Sequence, residues 1–493
     1  MQPEFQTFST IDHRSANPFW MSENQKNVAL RFLPFLLVIW LFFLLGFKTE
    51  ISSFGDEGVY HNGGLILASS LAKGTFLKDV FDKDMFKYPG YYGFAGVTYF
   101  LFGENPLLVR VFGIIPLLGL SLIIANMASL IAGERARNFA MLSIFFSPIL
   151  FFFSIMLLRD IYILFGVGLV LHTLIAIIQL HLPFKKIFSI PALLGLGIIY
   201  LMRFPMIAIS LIVVIISLLL SWALSLSLNR RRLAFILVTF IIVGALYFAY
   251  LPLVDLISQT FFAGQELEAS ISSISYLSDY SFRTANEMIT ALFDPKFFVI
   301  TIFSKLNNIT LGAHPFLNSH NDVSLFNLIS NFKPESWGGY KWEDVLLTKG
   351  LQWMVHFLLL PYFIAGFVGI LRFNRKVLIP LFMLWITYAF ITIFTGNDER
   401  WGLPIMLVYY VIISIGYGLY GNRLKKFFVL TYGLLIGVVA VRILGYQVPM
   451  LVVPIFLCIV FLRQKINPVD LPESNGVPPV QSREFTSRDH IAF

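Results

Sequence analysis

Long apolar runs separated by short polar turns make up most of the chain. A membrane-crossing helix needs about 20 apolar residues, because the hydrocarbon layer is about 30 Å thick and each helical residue rises about 1.5 Å. This criterion predicts spans at 29–48, 107–132, 138–158, 161–181, 187–202, 205–228, 233–256, 352–371, 377–395, 401–420, 427–444 and 447–462. The predicted fold class is an all-α polytopic membrane protein with about twelve transmembrane helices.

The composition agrees with this pattern. Of the 493 residues, 57% are hydrophobic and only 13% are charged, whereas soluble domains carry about 25% charged residues. These values exclude a soluble enzyme, a nucleic-acid-binding protein and a disordered scaffold. The net charge of +8 does not indicate nucleic acid, because the basic residues lie between apolar runs. The single cysteine, Cys458, excludes a disulfide within the chain and a thiolate metal site.

The basic residues also predict the orientation of the chain. The segment Gly90–Gly103 is apolar, but it has only about 14 residues, fewer than a span requires. If it does not cross, one side holds Arg135, Arg137, Lys185, Lys186, Arg230, Arg231, Arg232, Arg372, Arg375, Lys376, Arg423, Lys425, Lys426, Arg463 and Lys465. The short turns on the other side hold only Arg159, Arg203, Arg400 and Arg442. The positive-inside rule then predicts that both termini are cytoplasmic and that 90–103 is an interfacial or re-entrant helix.

This topology predicts five regions. Residues 1–28 form a cytoplasmic N-terminal segment, and 29–256 form a transmembrane module that contains the first outer loop, 49–106. Residues 257–350 form an outer loop or small cap with amphipathic helices, and 351–463 form the C-terminal transmembrane helices. The tail 464–493 is rich in proline, serine and charge, which predicts disorder.

Candidate catalytic residues lie on the outer side. Asp56 and Glu57 are adjacent carboxylates close to the end of the first predicted span. A carboxylate in this place can act as a general base for a sugar hydroxyl; the alternative is a solvated acidic loop. Arg159 and Asp160 are the only charged residues between two long apolar runs. They are either functional or a local surface ion pair, worth about 0–1 kcal/mol.

Further basic residues are candidates for holding phosphate. Arg203 and Arg400 lie at predicted outer span ends, and Lys87 with Tyr88 precedes the 90–103 segment. Guanidinium suits phosphate because it donates two parallel hydrogen bonds. The alternative for each arginine alone is an anchor whose charged end reaches the interface.

Several motifs, taken in chain order, resemble those of a known superfamily. They are Asp56-Glu57, Tyr60, Ala72-Lys73-Gly74, Tyr88-Pro89, Arg110 within Leu101–Gly113, Ser147-Pro148, Asp160 and Arg400-Trp401-Gly402-Leu403-Pro404. Together they resemble the GT-C superfamily of membrane glycosyltransferases, which use polyprenyl-phosphate or polyprenyl-diphosphate sugars. The similarity is densest over residues 49–175.

The resemblance implies a function and a set of roles. Asp56 or Glu57 would be the base, Arg110 would belong to the phosphate site, and Asp160 would help to hold a divalent cation (Mg²⁺ or Mn²⁺) or the carrier phosphate. The sugar would pass, with inversion, to a glycan, lipid or protein acceptor at the outer face of a membrane, which we expect to be the bacterial inner membrane. The partners would be the lipid-linked sugar and the bilayer, with no nucleic acid.

Two alternatives stay open. Arg159 beside Asp160 resembles proteins of polysaccharide assembly, which favours an O-antigen or exopolysaccharide polymerase or ligase. A different class, a transporter or flippase for lipid-linked saccharides, would show repeats and ionisable or broken helices at mid-membrane.

Overall fold

The described part of the chain is helical. The computed structural model describes residues 34, 37, 38, 40, 41, 57–80, 89–145, 147–203, 205–226, 352–394, 399–443 and 452–463, and none of these residues lies in a β-strand. The predicted span 233–256, the predicted cap 257–350 and the predicted disordered tail 464–493 lie outside these ranges. Five residues of the first predicted span, 29–48, are described, and they are helical.

Most helices follow the predicted apolar runs. The α-helices are α1 (Glu57–Ala72), α2 (Phe76–Val80), α3 (Pro89–Phe102), α4 (Pro106–Val111), α5 (Ile114–Phe145), α6 (Pro148–Ile155), α7 (Asp160–Gln179), α8 (Ile190–Met202), α9 (Pro205–Ser225), α10 (Gln352–Phe373), α11 (Arg375–Phe394), α12 (Glu399–Tyr420), α13 (Lys425–Ile443) and α14 (Val452–Arg463). Of these, α1 and α2 lie in the predicted first outer loop. Short 3₁₀ helices occur at Phe184–Phe188 and Gly421–Leu424.

Three helical stretches are long and apolar enough to cross a membrane: Pro106–Phe145, Asp160–Gln179 and Leu403–Tyr420. Shorter apolar helices cover Ile190–Met202, Ile209–Leu224 and Leu358–Phe373. Length and composition therefore confirm the coarse prediction of a helical membrane protein. The number of about twelve spans stays a prediction.

Gly133 divides α5 into two segments that run in opposite directions. Its backbone angles, φ 78° and ψ −169°, are not helical, and glycine adopts them without a Cβ clash. A Cβ on Gly113 would lie 1.9 Å from the carbonyl oxygen of Ser154, so the chain returns to its starting end between these residues. About 20 residues, or about 30 Å of helix, separate Gly133 from each of them. If the chain reversed at residue 146 instead, a straight helix over 114–145 would be about 48 Å long. Fewer than ten residues would then have to span that distance to bring Ser154 back to Gly113. The chain therefore reverses near the turn predicted at Arg135 and Arg137, and the crossing of the bilayer by both arms stays a prediction.

The returning arm is itself interrupted. Ser147 is the N-cap of α6, its hydroxyl accepts from the backbone N–H of Leu150 at 3.4 Å, and Pro148 is the first helical residue. Proline is favoured there because its φ suits a helix and it needs no hydrogen-bond donor. At the other end Met156 is extended, which leaves 156–159 as a non-helical segment before α7. The predicted continuous span 138–158 is therefore wrong in detail.

Helix α7 separates two ends of the described structure. It has 20 residues, or about 30 Å of helix, from Asp160 to Gln179. Asn374, between α10 and α11, donates to the side-chain oxygen of Gln179 at 2.6 Å. The α10–α11 turn therefore lies at the far end of α7 from Asp160.

Helices α1 and α3 pack closely within the predicted first outer loop. A Cβ on Gly63 would lie 2.5 Å from the ring of Tyr92, and one on Gly64 would lie 2.8 Å from the Cβ of Ala95. Only glycine permits these contacts at this spacing. The helix predicted over 90–103 is confirmed as α3, and its position relative to a bilayer stays a prediction.

Candidate functional site

A buried ion pair joins α1 to α4. Glu57 is the first residue of α1, and Arg110 is in the last turn of α4. Nη2 of Arg110 donates to Oε2 of Glu57 at 2.9 Å and to Oε1 at 3.1 Å. Glu57 is 0% exposed and Arg110 is 1% exposed. Each charge stabilises the helix end on which it lies, because carboxylates suit N-termini and guanidinium groups suit C-termini.

The same carboxylate binds a third segment. Oε1 of Glu57 accepts a hydrogen bond from the backbone N–H of Leu157, in the non-helical segment between α6 and α7. The N–H of Leu157 has no partner within a helix at this point, so the carboxylate satisfies it. Glu57 thus joins segments that lie 53 and 100 residues further along the chain.

Arg159 lies two residues after Leu157 and is 2% exposed. Its guanidinium carbon lies 5.3 Å from the centre of the Tyr60 ring, within the range of a cation–π interaction. Nη1 of Arg159 donates to the carbonyl oxygen of Met202, the last residue of α8, at 3.3 Å. Asp160, the first residue of α7, is 6% exposed. Arg159 and Asp160 are therefore buried rather than exposed, and their functional role stays a prediction.

Tyrosine rings surround the Arg159 contact. The ring centre of Tyr91 lies 5.1 Å from that of Tyr60 and 5.9 Å from that of Tyr162, both edge to face. Burial raises the pKa of Tyr91 well above its ordinary value, and nearby tyrosines and Glu57 raise it further. Tyr91 is therefore uncharged at neutral pH and contributes packing rather than charge.

A second group of titratable residues joins α1 to the end of α3. Nδ1 of His61 lies 2.9 Å from the hydroxyl of Tyr99, and Nε2 lies 3.2 Å from Oε1 of Glu104. Burial raises the pKa of Tyr99, so this hydroxyl also stays protonated at neutral pH. His61 lies on the same face of α1 as Glu57. Its contacts hold this face against the end of α3 and against Glu104, which precedes the helix that carries Arg110.

The structure brings together only some of the predicted site residues. Glu57 binds Arg110 and the N–H of Leu157, Arg159 and Asp160 follow Leu157 at the start of α7, and Arg203 follows Met202 at the end of α8 with a half-buried side chain. Arg400 lies in the first turn of α12, but its side chain is outside the described part. Asp56, Lys87 and Tyr88 also lie outside the described residues.

Sequence reasoning missed two contributors and gave no role to a third, Tyr60, which it named only within a motif. The N–H of Leu157 and the carbonyl of Met202 are backbone groups, which leave no signal in residue type. Tyr60 does leave a signal, because it lies three residues after Glu57 and such pairs share one face of a helix.

A divalent cation would find one ligand in this group. Mg²⁺ is usually bound by one or two carboxylates together with substrate phosphate oxygens and waters. Asp160 fits one such position, whereas Glu57 is already bonded to Arg110 and Leu157. Within the described ranges, no cluster of three or more histidine, cysteine or acidic residues could hold a metal.

Comparisons of the chain with protein-family models, with curated proteins and with solved structures find no match. The function is therefore inferred from the geometry of Glu57, Arg110, Arg159 and Asp160.

Proposed function

We propose that the chain is a membrane glycosyltransferase of the GT-C type. It would transfer a sugar or oligosaccharide from a polyprenyl-phosphate or polyprenyl-diphosphate carrier to an acceptor hydroxyl, with inversion. One observation carries the proposal: the buried Glu57–Arg110 pair is bonded to the segment that leads directly to Arg159 and Asp160, at one end of a candidate membrane span. Charges are costly to bury at such a position unless they are used or paired.

The geometry of Glu57 favours Asp56 as the base. A general base must come within hydrogen-bond distance of the hydroxyl whose proton it takes. Glu57 is fully buried, and its oxygens are bonded to Arg110 and Leu157. We therefore assign Glu57 as a positioning residue, and Asp56, its neighbour in the chain, as the base.

Half-buried Arg203 is the proposed phosphate ligand, and buried Arg159 is a positioning residue for it. Nη1 of Arg159 donates to the carbonyl oxygen of Met202, the residue before Arg203. Arg159 and Arg203 therefore lie on the same side of the candidate site. Asp160 at the start of α7 would hold Mg²⁺ or Mn²⁺ against the same phosphate. The cation would add positive charge where the leaving phosphate develops negative charge.

The chemical step needs no external oxidant or reductant. The acceptor oxygen forms a bond to the anomeric carbon, and the bond from that carbon to the phosphate oxygen breaks. The electron pair leaves with the lipid phosphate, and the hydroxyl proton passes to Asp56. Because phosphate is a good leaving group, the protein chiefly supplies orientation and charge stabilisation.

The exposed basic residues at the far end of α7 support an outer location for this chemistry. The Asp160 end holds acids together with buried or half-buried arginines, whereas exposed Arg372 and Arg375 flank Asn374, which binds Gln179 at the other end. Under the positive-inside rule, the second end is cytoplasmic. The proposed setting is the bacterial inner membrane, and the acceptor is a glycan, a lipid or a protein.

A transfer assay tests the proposal. Purified protein in liposomes is supplied with radiolabelled polyprenyl-phosphate sugars extracted from host membranes, and transfer to added glycan or lipid is measured. Asp56→Asn should lower the rate by about 10²–10⁴-fold, the usual contribution of a general base. The matched control is Asp79→Asn, the same change at another acid of the first outer loop, which should keep the wild-type rate.

Two results would overturn the proposal. One is a wild-type transfer rate in Asp56→Asn, which would remove the base. The other is movement of intact lipid-linked sugar across the liposome membrane without formation of a new glycosidic bond, which would identify a transporter.

A further inference from the structure

Exposed basic side chains lie at the end of α7 that is far from the candidate site. Lys185 and Lys186 are exposed in the 3₁₀ helix Phe184–Phe188, between α7 and α8. Arg372 and Arg375 are exposed at the α10–α11 turn. We call these four residues the basic rim; the proposed chemistry uses none of them.

Side-chain contacts bring the turns of the basic rim together. Asn374 lies between Arg372 and Arg375 and donates to Gln179 at the end of α7, at 2.6 Å. The 3₁₀ helix that carries Lys185 packs against both α7 and α8. Residues almost 190 positions apart in the sequence therefore share one surface.

No acid in these turns offsets the positive charge. The segments 181–190 and 371–376 contain neither aspartate nor glutamate. Arg375 Nε donates to the carbonyl oxygen of Leu371 at 2.9 Å, which fixes the start of its side chain beside the turn. The surface is therefore complementary to an anion.

Large apolar side chains lie directly beside the lysines. Phe188 is 73% exposed and Ile190 is 82% exposed, although Ile187 between them and the lysines packs against the core. An exposed apolar pair next to a basic cluster is typical of a surface at the boundary between headgroups and acyl chains. A free phosphate would use the basic residues but not the apolar pair.

We propose that the basic rim binds the headgroup of an anionic phospholipid, with an acyl chain lying along Phe188 and Ile190. Lys185, Lys186 and Arg375 would surround the phosphate, with charge-assisted hydrogen bonds from their side chains. Each basic residue near an anionic lipid surface raises affinity by about fivefold. This inference is independent of the glycosyltransferase proposal, because it concerns the opposite end of α7.

Lipid binding to the full chain tests the inference. Detergent-solubilised protein is titrated with dioleoyl phosphatidylglycerol or dioleoyl phosphatidylcholine, and bound lipid is counted by native mass spectrometry. The wild type should bind the anionic lipid at least tenfold more tightly. The variant K185Q/K186Q/R375Q should lose about 100-fold in affinity for phosphatidylglycerol, from about fivefold for each charge removed. The control K73Q/K78Q, which removes exposed lysines of the first outer loop, should bind as the wild type does.

The apolar pair provides a second arm. F188Q/I190Q should weaken binding of the dioleoyl lipid several-fold and leave binding of a soluble short-chain phosphatidylglycerol unchanged. Three outcomes would overturn the inference: equal affinity for both headgroups, an equal loss in K73Q/K78Q, or full displacement of the lipid by millimolar inorganic phosphate.

Discussion

The ion pair between Glu57 and Arg110 allows a quantitative test of how the first outer loop is held. In the variant Glu57→Gln the side chain keeps its shape, and its amide oxygen can still accept from the N–H of Leu157. The negative charge is lost, however, and Arg110 stays buried at 1% exposure. Removing one partner of a buried pair leaves an uncompensated charge and usually costs about 3–5 kcal/mol.

A double-mutant cycle separates this charge effect from packing. Arg110→Met should destabilise the protein by a similar amount, because it leaves Glu57 buried and charged. The double variant, E57Q/R110M, contains neither charge and should be little less stable than either single variant. The expected coupling is about 3 kcal/mol, the upper end of values for residues in contact.

Reversible unfolding by sodium dodecyl sulfate in mixed micelles measures these free energies. The matched control is Glu134→Gln, which breaks the pair with Arg137 in α5. The side chain of Glu134 is 53% exposed and that of Arg137 is 6% exposed. Water therefore has access to the carboxylate, and loss of this pair should cost less than loss of the fully buried pair. If Glu57→Gln is no more destabilising than Glu134→Gln, or if the two single effects add in the double variant, the buried pair does not hold the loop as described.

Variants at three other positions test the packing and the cation–π contact, and a variant at a fourth position tests the metal role. Tyr60→Leu should cost about 2 kcal/mol more in unfolding free energy than Tyr60→Phe, because only leucine removes the ring beneath Arg159; equal costs would contradict the cation–π assignment. Gly366→Ala should destabilise by about 1–3 kcal/mol, since its Cβ would lie 1.9 Å from a carbonyl oxygen of α12. Gly197→Ala, with open space around it, should be neutral or stabilising by up to about 1 kcal/mol in thermal unfolding. Asp160→Asn should raise the Mg²⁺ or Mn²⁺ concentration needed for transfer, and transfer that survives complete chelation would remove the metal role.

The positions of the helices could be predicted from the sequence, because a run of apolar residues long enough to cross a bilayer leaves few other structures. The turn at Arg135 and Arg137 was predicted from the gap between two apolar runs, and Gly133 supplies the backbone conformation that makes it. The start of the break at 156–158 could not be predicted in this way. These three residues are apolar, and the N–H of Leu157 is bonded by a side chain from another part of the chain.

The candidate site shows the same limit. The acids and arginines were identifiable as residues that need an explanation in an apolar chain. Which of them acts as a base, a phosphate ligand or a positioning residue depends on the distances between side chains and on their burial. Residue type alone does not give either quantity. Adjacent Asp56 and Glu57 are equivalent in sequence, and only the tertiary contact with Arg110 distinguishes a buried positioning carboxylate from a candidate base.

The bridge made by Glu57 also has a consequence for biogenesis. Glu57 leaves the ribosome before the segment that carries Leu157 has been synthesised. Its carboxylate therefore cannot form this hydrogen bond until that segment has been made. Packing of the first outer loop around Glu57 therefore requires that the segment containing Leu157 has already folded. We expect newly made chains that stall before this point to be inactive and open to proteolysis at the loop.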